Sequence, residues 1–108
     1  MNKGNIWLVE LPSTNGYEQT GKRPVIFIAD SKINIAIIIP LTSNLQALRF
    51  PHTIEVKPSE KNGLNTISIA LIFQVRAIDK KRLQKKIGEL EDSLLHEVDK
   101  LLKKILQL

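Results

Sequence analysis

The stretch PVIFIADSKINIAIIIPL, residues 24–41, decides the fold of this chain. It contains two apolar runs, Pro24 to Ala29 and Ile35 to Leu41, separated by the turn residues Asp30-Ser31-Lys32. Runs of this length that are rich in β-branched residues predict β-strands. Pro24 stands at the start of its run, where a strand tolerates the missing backbone N–H. The unbroken apolarity of the second run predicts a strand buried on both faces.

Further strands are predicted on both sides of this stretch. Ile6 to Leu11 has the pattern of a half-buried strand, and the turn residues Pro12 to Gly16 end it. His52 to Val56 alternates weakly, and Thr66 to Val75 contains one or two strands. Short strands spaced this closely indicate a strongly bent antiparallel sheet or a small barrel, because closing a sheet removes exposed edges.

The last thirty residues change to a helical pattern. Asp79 is a typical helix N-cap and Gly88 suits the residue after a helix, which predicts a first short helix between them. A second helix is predicted from about Glu91 to Gln107, because aliphatic residues recur there at helical spacing: Leu94, Leu95, Val98, Leu101, Leu102 and Ile105. We expect this stripe to pack on the sheet, although it could also contribute to a dimer interface. The sequence thus predicts an α+β fold in one domain, residues 1–108, with strands within about 5–78 and helices within about 79–107.

Composition narrows the classes of function. The chain of 108 residues has no cysteine, which excludes disulfides, thiolate metal sites and cysteine nucleophiles. Its two histidines, His52 and His96, lie far apart in the expected fold, so we predict no metal site and no cofactor. No secretion signal and no apolar run long enough to cross a bilayer is visible, so a cytoplasmic protein with no membrane role is expected.

The charge of the chain is basic and unevenly distributed. A net charge of +5 favours a polyanionic partner, either nucleic acid or an acidic protein. Cations cluster near the C-terminal end, at Lys80, Lys81, Arg82, Lys85, Lys86, Lys100, Lys103 and Lys104. Two solvated helix faces are the simpler interpretation of this cluster.

Two polar segments are candidates for a functional site. The first, GYEQTGKRPV, covers residues 16–25, and from residue types alone it is an ordinary surface loop. Arg23, however, directly precedes a strand that can hold it rigidly, and catalysis by charge needs rigid placement. The second is Thr42-Ser43-Asn44 at the end of a buried strand, which alone is typical of a turn with local side-chain to backbone bonds.

Taken together and in order, these motifs resemble a known family. The chain has Gly4-Asn5-Ile6-Trp7, then residues 16–25, then Ile39-Pro40-Leu41-Thr42-Ser43, and later Gln74-Val75-Arg76-Ala77-Ile78-Asp79. This combination, with Gly63-Leu64 before a strand and an amphipathic C-terminal helix, resembles the MazF/PemK/Kid toxins of type II toxin–antitoxin systems. The resemblance spans essentially the whole chain.

The resemblance implies a fold, partners and a set of site residues. The family fold is a small SH3-like β-barrel with added helices, usually a homodimer. Many members cut single-stranded mRNA at specific sequences without a metal, and a cognate antitoxin blocks the site. By motif position, Arg23 and Thr42 match the catalytic pair. The further matches are Glu18, which the reaction would use as the general base, and a set of RNA-binding residues: Gln19, Lys22, Ser43, Gln74 and Arg76.

The residue types suit this chemistry. Cutting RNA without a metal most simply uses the 2′-OH of the substrate as nucleophile, so charge on a phosphorane must be stabilised. A planar guanidinium can hold two phosphate oxygens, and because arginine keeps its proton in water, Arg23 is interpreted chiefly as a clamp. Glu18 would accept the proton of the 2′-OH, and Thr42 would orient the phosphate.

One position departs from the family pattern. Many members carry an acidic residue just before the Gln of the Gln-x-Arg element, where this chain has Phe73. Core packing is the expected role of Phe73, with stacking on a base as the alternative. The missing acid leaves open a non-enzymatic relative, such as a gyrase poison, and a plain SH3-like module that binds RNA or acidic peptides.

Overall fold

A computed structural model describes residues 1–11 and 21–108 of the chain. These residues form a mostly antiparallel sheet and one long helix, joined by short 3-10 turns at Leu45–Arg49, Ile72–Gln74 and Lys80–Arg82. In chain order the elements are β1 Asn5–Leu11, β2 Gly21–Asp30, β3 Ile35–Thr42, β4 Thr53–Val56, β5 Ser68–Leu71, β6 Arg76–Asp79, β7 Leu83–Glu89 and α1 Asp92–Leu106.

The strand β3 organises the sheet. The strand order is β4-β5-β3-β2-β1-β7, and β6 pairs with the first half of β3 while β5 pairs with its end. All of these pairs are antiparallel. No ladder joins the outer strands β4 and β7 within the described residues, so the antiparallel sheet is confirmed but a closed barrel is not.

The core lies on both faces of this sheet, as the apolar run in β3 predicts. One cluster contains Ile39 and Leu41 of β3 together with Ile6, Ile26, Ile72 and Val98. The other contains Ala36 and Ile38 of β3 with Val9, Val25 and Phe27. Alternate residues of one strand therefore face two apolar clusters, and burying their surface supplies about 25 cal/mol per Å² of stabilisation.

The predicted helix between Asp79 and Gly88 is wrong. Residues 83–89 form β7, which pairs antiparallel with β1 from Leu83 opposite Val9 to Glu89 opposite Asn5. The Gln and Lys residues in this segment favour helix weakly, but pairing with β1 overrides this intrinsic preference. Asp79 does cap a turn, although only a 3-10 turn, since its Oδ1 accepts a hydrogen bond from the Lys81 N–H at 3.0 Å.

The predicted second helix is confirmed. It spans Asp92–Leu106, and its apolar stripe packs against the cluster that contains Val98, which is fully buried. Strand β2 begins at Gly21 and not at Pro24, so Lys22 and Arg23 belong to a strand and not to the polar loop that the sequence indicated. Among residues 1–11 and 21–108, no helix has the length and apolarity needed to cross a membrane.

A buried polar network fixes the start of α1 to the segment between β4 and β5. Asn62 is fully buried, and its amide donates to the Lys57 carbonyl at 2.8 Å and to Glu91 Oε1 at 3.1 Å. Its Oδ1 accepts the N–H groups of Ser59 and Leu64, both at 3.0 Å. Because buried polar groups are costly without partners, this network defines one arrangement of the segment.

Glu91 completes the network and its carboxylate accepts from Ser59 Oγ at 2.5 Å. Burial raises the pKa of Glu91, but hydrogen bonds from Ser59, its own backbone and Asn62, with the charge of Lys61, outweigh burial. The pKa of Glu91 therefore lies below its ordinary value of 4.5. A carboxyl with a lowered pKa stabilises the fold fully above its ordinary pKa and stops doing so as the pH falls through its folded value.

We expect Glu91→Gln to lower the free energy of unfolding at pH 7 by roughly 1–2 kcal/mol. Ser59 and Asn62 both donate to the carboxylate, and a glutamine would present its own NH2 group to one of them in place of a charged acceptor. The difference from the unsubstituted protein should persist above pH 4.5, the ordinary pKa, and shrink below it. Urea unfolding at a series of pH values measures both effects. Glu97→Gln, which removes an exposed carboxylate of the same helix, is the control. A pH-independent difference would contradict the assignment.

Candidate active site

Arg23 lies in β2, at a point where this strand is paired with β1 but no longer with β3. In β2, Arg23 lies opposite Val9 of β1, and the ladder with β3 runs as far as Val25 opposite Pro40. The Arg23 side chain is half-buried. Its backbone is therefore held by the strand, which agrees with the rigid placement that the sequence suggested.

Thr42 ends β3 and is 4% exposed. It pairs with Ile69 of β5, and its Oγ1 accepts a hydrogen bond from the Asn44 N–H at 3.2 Å. The Asn44 Oδ1 in turn accepts the Gln46 N–H at 3.1 Å and caps the following 3-10 turn. The local bonds expected of a simple turn are thus present, but a hydroxyl that accepts one bond still has its own proton to donate.

Arg23 and Thr42 occupy equivalent positions on neighbouring strands. Each stands two residues beyond the last paired residues, Val25 and Pro40, where β3 leaves β2 and continues beside β5. Continuing the register would set Arg23 opposite Thr42. The ladder ends before that pair, however, and the two residues pair instead with Val9 of β1 and Ile69 of β5.

Two clefts open at this end of the sheet. The larger, of about 510 Å³, is lined by Thr42, Asn44, Gln46, Ala47, Arg49, Phe50, Leu71, Phe73 and Gln74. The smaller, of about 330 Å³, is lined by residues that include Lys22, Arg23, Ser43 and Gly63. Thr42 and Gln74 therefore line one cleft, whereas Arg23, Lys22 and Ser43 line the other.

The remaining predicted site residues are placed differently. Arg76 lies in β6 opposite Ile38 of β3 and lines neither cleft. Glu18 and Gln19 lie outside the described residues. Within the described residues, no group of three or more His, Cys, Asp or Glu side chains is arranged to hold a metal ion.

Phe73 is not a core residue, contrary to the expected packing role. It is 40% exposed and its ring centroid lies 6.0 Å from that of Phe50, with the ring planes tilted by 59°. Sequence reasoning also missed Gln46, Arg49 and Phe50, which line the larger cleft. The signal available was an Arg-Phe pair directly before Pro51 in a segment with no strand or helix period.

Comparisons with known proteins decide the family. A family model described as "PemK-like, MazF-like toxin of type II toxin-antitoxin system" matches residues 2–106. The chain belongs to this toxin family. Among curated relatives, the endoribonuclease EndoA of Bacillus subtilis (strain 168) is 32% identical over 106 residues, covering 94% of this chain and 90% of that protein.

Solved structures of PemK-like and MazF-like toxins have the same fold. A crystal structure of MazF from Deinococcus radiodurans matches with a TM-score of 0.82 and 20% identity, covering 100% of this chain and 97% of that one. A crystal structure of MazE-MazF from the same organism matches with a TM-score of 0.74 and 21% identity, covering 100% and 96%. The match of the family model confirms the resemblance seen in the motifs.

Proposed function

We propose that this chain is a toxin endoribonuclease that cleaves single-stranded mRNA at specific sequences. The observation that carries the proposal is that Arg23 of β2 and Thr42 of β3 both lie just beyond the end of the β2–β3 ladder, which stops at Val25 opposite Pro40. Membership of the toxin family and 32% identity to an endoribonuclease support it. The net charge of +5 suits a polyanionic substrate.

The reaction proposed is an internal transfer of the phosphate. The 2′-oxygen of the RNA loses its proton and bonds to the adjacent phosphorus, while the bond from phosphorus to the 5′-oxygen breaks and that oxygen gains a proton. The products are a 2′,3′-cyclic phosphate and a 5′-OH. This transfer needs no metal, since the substrate supplies its own nucleophile.

Each site residue has a role in this reaction. Arg23 clamps two oxygens of the phosphorane, whose charge exceeds that of the starting diester, and so stabilises the transition state more than the substrate. Thr42 donates a hydrogen bond that orients the phosphate, and Glu18 takes the proton of the 2′-OH. Gln19, Lys22, Ser43, Gln74 and Arg76 are assigned to RNA binding.

The biological setting follows from the same proposal. We assign this chain a cognate antitoxin that covers the site, a homodimeric state, a cytoplasmic location and the closed SH3-like barrel of its family. Two solved structures with this fold are complexes of this kind, a MazE-MazF pair and an endoribonuclease with its cognate antitoxin from a Mycobacterial species. A basic surface favours an acidic inhibitor.

The test is incubation of the purified protein with a long single-stranded RNA in EDTA. We expect cuts at a few sequences, each leaving a 5′-OH and a cyclic phosphate that phosphatase alone does not remove. No cleavage of any sequence, with or without Mg²⁺, would favour the gyrase-poison or binding-module alternatives. The acidic product of an adjacent gene should co-purify with the toxin and stop the cleavage.

A further inference from the structure

The larger cleft lies where two segments far apart in the sequence meet. Residues of the 3-10 turns Leu45–Arg49 and Ile72–Gln74 line it, together with Thr42 at the end of β3. Its volume of about 510 Å³ is within the usual range for small-molecule sites, about 300–1,000 Å³. The cleft therefore has room for a ligand group beside a predicted catalytic hydroxyl.

Two aromatic rings are exposed at this cleft. Phe50 is 47% exposed and Phe73 is 40% exposed, and their tilted contact holds them beside each other. Exposing large apolar side chains is unfavourable, so a cluster of them at a cleft marks a binding surface. Leu45 and Leu48 on the adjacent turn are also exposed and extend the apolar area.

A cation and three amides line the same cleft as the rings. The guanidinium carbon of Arg49 lies 5.2 Å from the centroid of the Phe50 ring, which is a cation–π geometry. Asn44, Gln46 and Gln74 also line the cleft, and an amide side chain offers both donors and acceptors. Aromatic faces, edge-reading polar groups and a positive charge together match an unstacked base and its phosphate.

We propose that this cleft holds one nucleobase of the single-stranded RNA substrate, stacked on Phe73. This inference rests on the proposed function and makes Phe73 a residue that determines specificity. Thr42 lines the same cleft, so the base belongs to a nucleotide adjacent to the cut phosphate. An aromatic side chain at the position where many relatives carry an acid removes a charge that would repel RNA and supplies a stacking surface.

Binding to an uncleavable RNA tests the proposal. The probe is a short fluorescein-labelled single-stranded RNA of mixed sequence with 2′-O-methyl groups, which lacks the nucleophile, and the readout is anisotropy. We expect Phe73→Leu, which keeps apolar bulk but no ring, to weaken binding about tenfold or more. Phe73→Trp should bind at least as tightly as the unsubstituted protein, because it retains a stacking face. Ile33→Ala, which removes an exposed apolar residue of the β2–β3 turn, should change nothing.

Mapping of the cut sites provides a second readout. We expect Phe73→Glu to change the base preference at one position next to the cut and to leave the other positions unchanged. Equal RNA affinity for Phe73→Leu and the unsubstituted protein would overturn the proposal. Sedimentation distinguishes a second copy of the chain as occupant. If Phe73→Leu weakens the dimer, and binds RNA as tightly as the unsubstituted protein at concentrations where both are dimeric, the cleft is a subunit contact and the proposal fails.

These outcomes are separable from failure of the proposed function. The binding assay needs no cleavage, so a protein that binds RNA through Phe73 but cuts nothing in EDTA or Mg²⁺ would retain the stacking site and lose the nuclease assignment. Conversely, cleavage that is unchanged in rate and sequence by Phe73→Leu and Phe73→Glu would retain the nuclease and eliminate the stacking site.

Discussion

Arg23→Ala is expected to reduce RNA cleavage by about 10²- to 10³-fold, the usual cost of removing one preorganised donor from a developing charge. The reason is positional, since β2 holds the backbone of Arg23 two residues beyond the end of its ladder with β3, the strand that ends at Thr42. Single-turnover cleavage of a mapped RNA site at saturating protein measures the chemical step separately from binding.

Two further variants define what Arg23 contributes. Arg23→Lys keeps the positive charge but loses the planar fork, so we expect it to recover RNA affinity and only part of the rate. Lys100→Ala removes an exposed cation of α1 and should leave the rate unchanged. Cleavage by Arg23→Ala at the rate of the unsubstituted protein would eliminate the clamp role. Circular dichroism of each variant establishes that the fold is retained.

The strands around the central stretch could be predicted because local pattern and tertiary environment agree there. The run Ile35 to Leu41 is apolar at every position except Pro40, and β3 does face a buried cluster on each side. The apolar stripe of α1 likewise has a single helical periodicity, and it packs against a single core cluster. In both elements the residues that define the pattern are those that are buried or half-buried against the core.

Strand β7 could not be predicted because its stabilisation is non-local. Its residues LQKKIGE have no clear period of two, and what makes them a strand is pairing with β1, more than seventy positions earlier. Irregularities in that ladder occur between Ile6 and Trp7 and between Leu8 and Val9, which disturb any simple alternation. A single-sequence pattern contains no information about such a partner.

The candidate site likewise has a part that could be predicted from local sequence and a part that depends on contacts between distant segments. Arg23 and Thr42 flank strong strand signals, so their positions just beyond the β2–β3 ladder follow from the order of the strands. The larger cleft requires two 3-10 turns, residues 45–49 and 72–74, that meet only in the folded chain. From the sequence alone, the residue type therefore predicts a core position for Phe73, since a phenylalanine is usually buried.

Gly63→Ala is expected to destabilise the fold more than the same substitution at Gly21 or Gly88. Gly63 has φ of +70°, a region that costs an L-residue about 1–2 kcal/mol. An added Cβ would also overlap the carbonyl oxygen of Ile87 in β7, and forced overpacking costs a further 1–3 kcal/mol or so. Against a typical total of about 5–15 kcal/mol, a loss of roughly 2–5 kcal/mol is severe.

Substitutions at two other glycines separate the backbone cost of a positive φ from the cost of steric overlap. Gly21 has φ of +82°, and no atom of residues 1–11 and 21–108 lies within 4 Å of an added Cβ, so Gly21→Ala should show the backbone cost alone. Gly88 lies in β7, where a Cβ would overlap the carbonyl of Asn62 without positive φ, so Gly88→Ala should show the overlap alone. Urea unfolding of the three variants measures both. If Gly63→Ala lost no more stability than Gly21→Ala, β7 would not lie against residues 61–63. Because Gly63 also lines the smaller cleft with Arg23, that result would change the site as well as the fold.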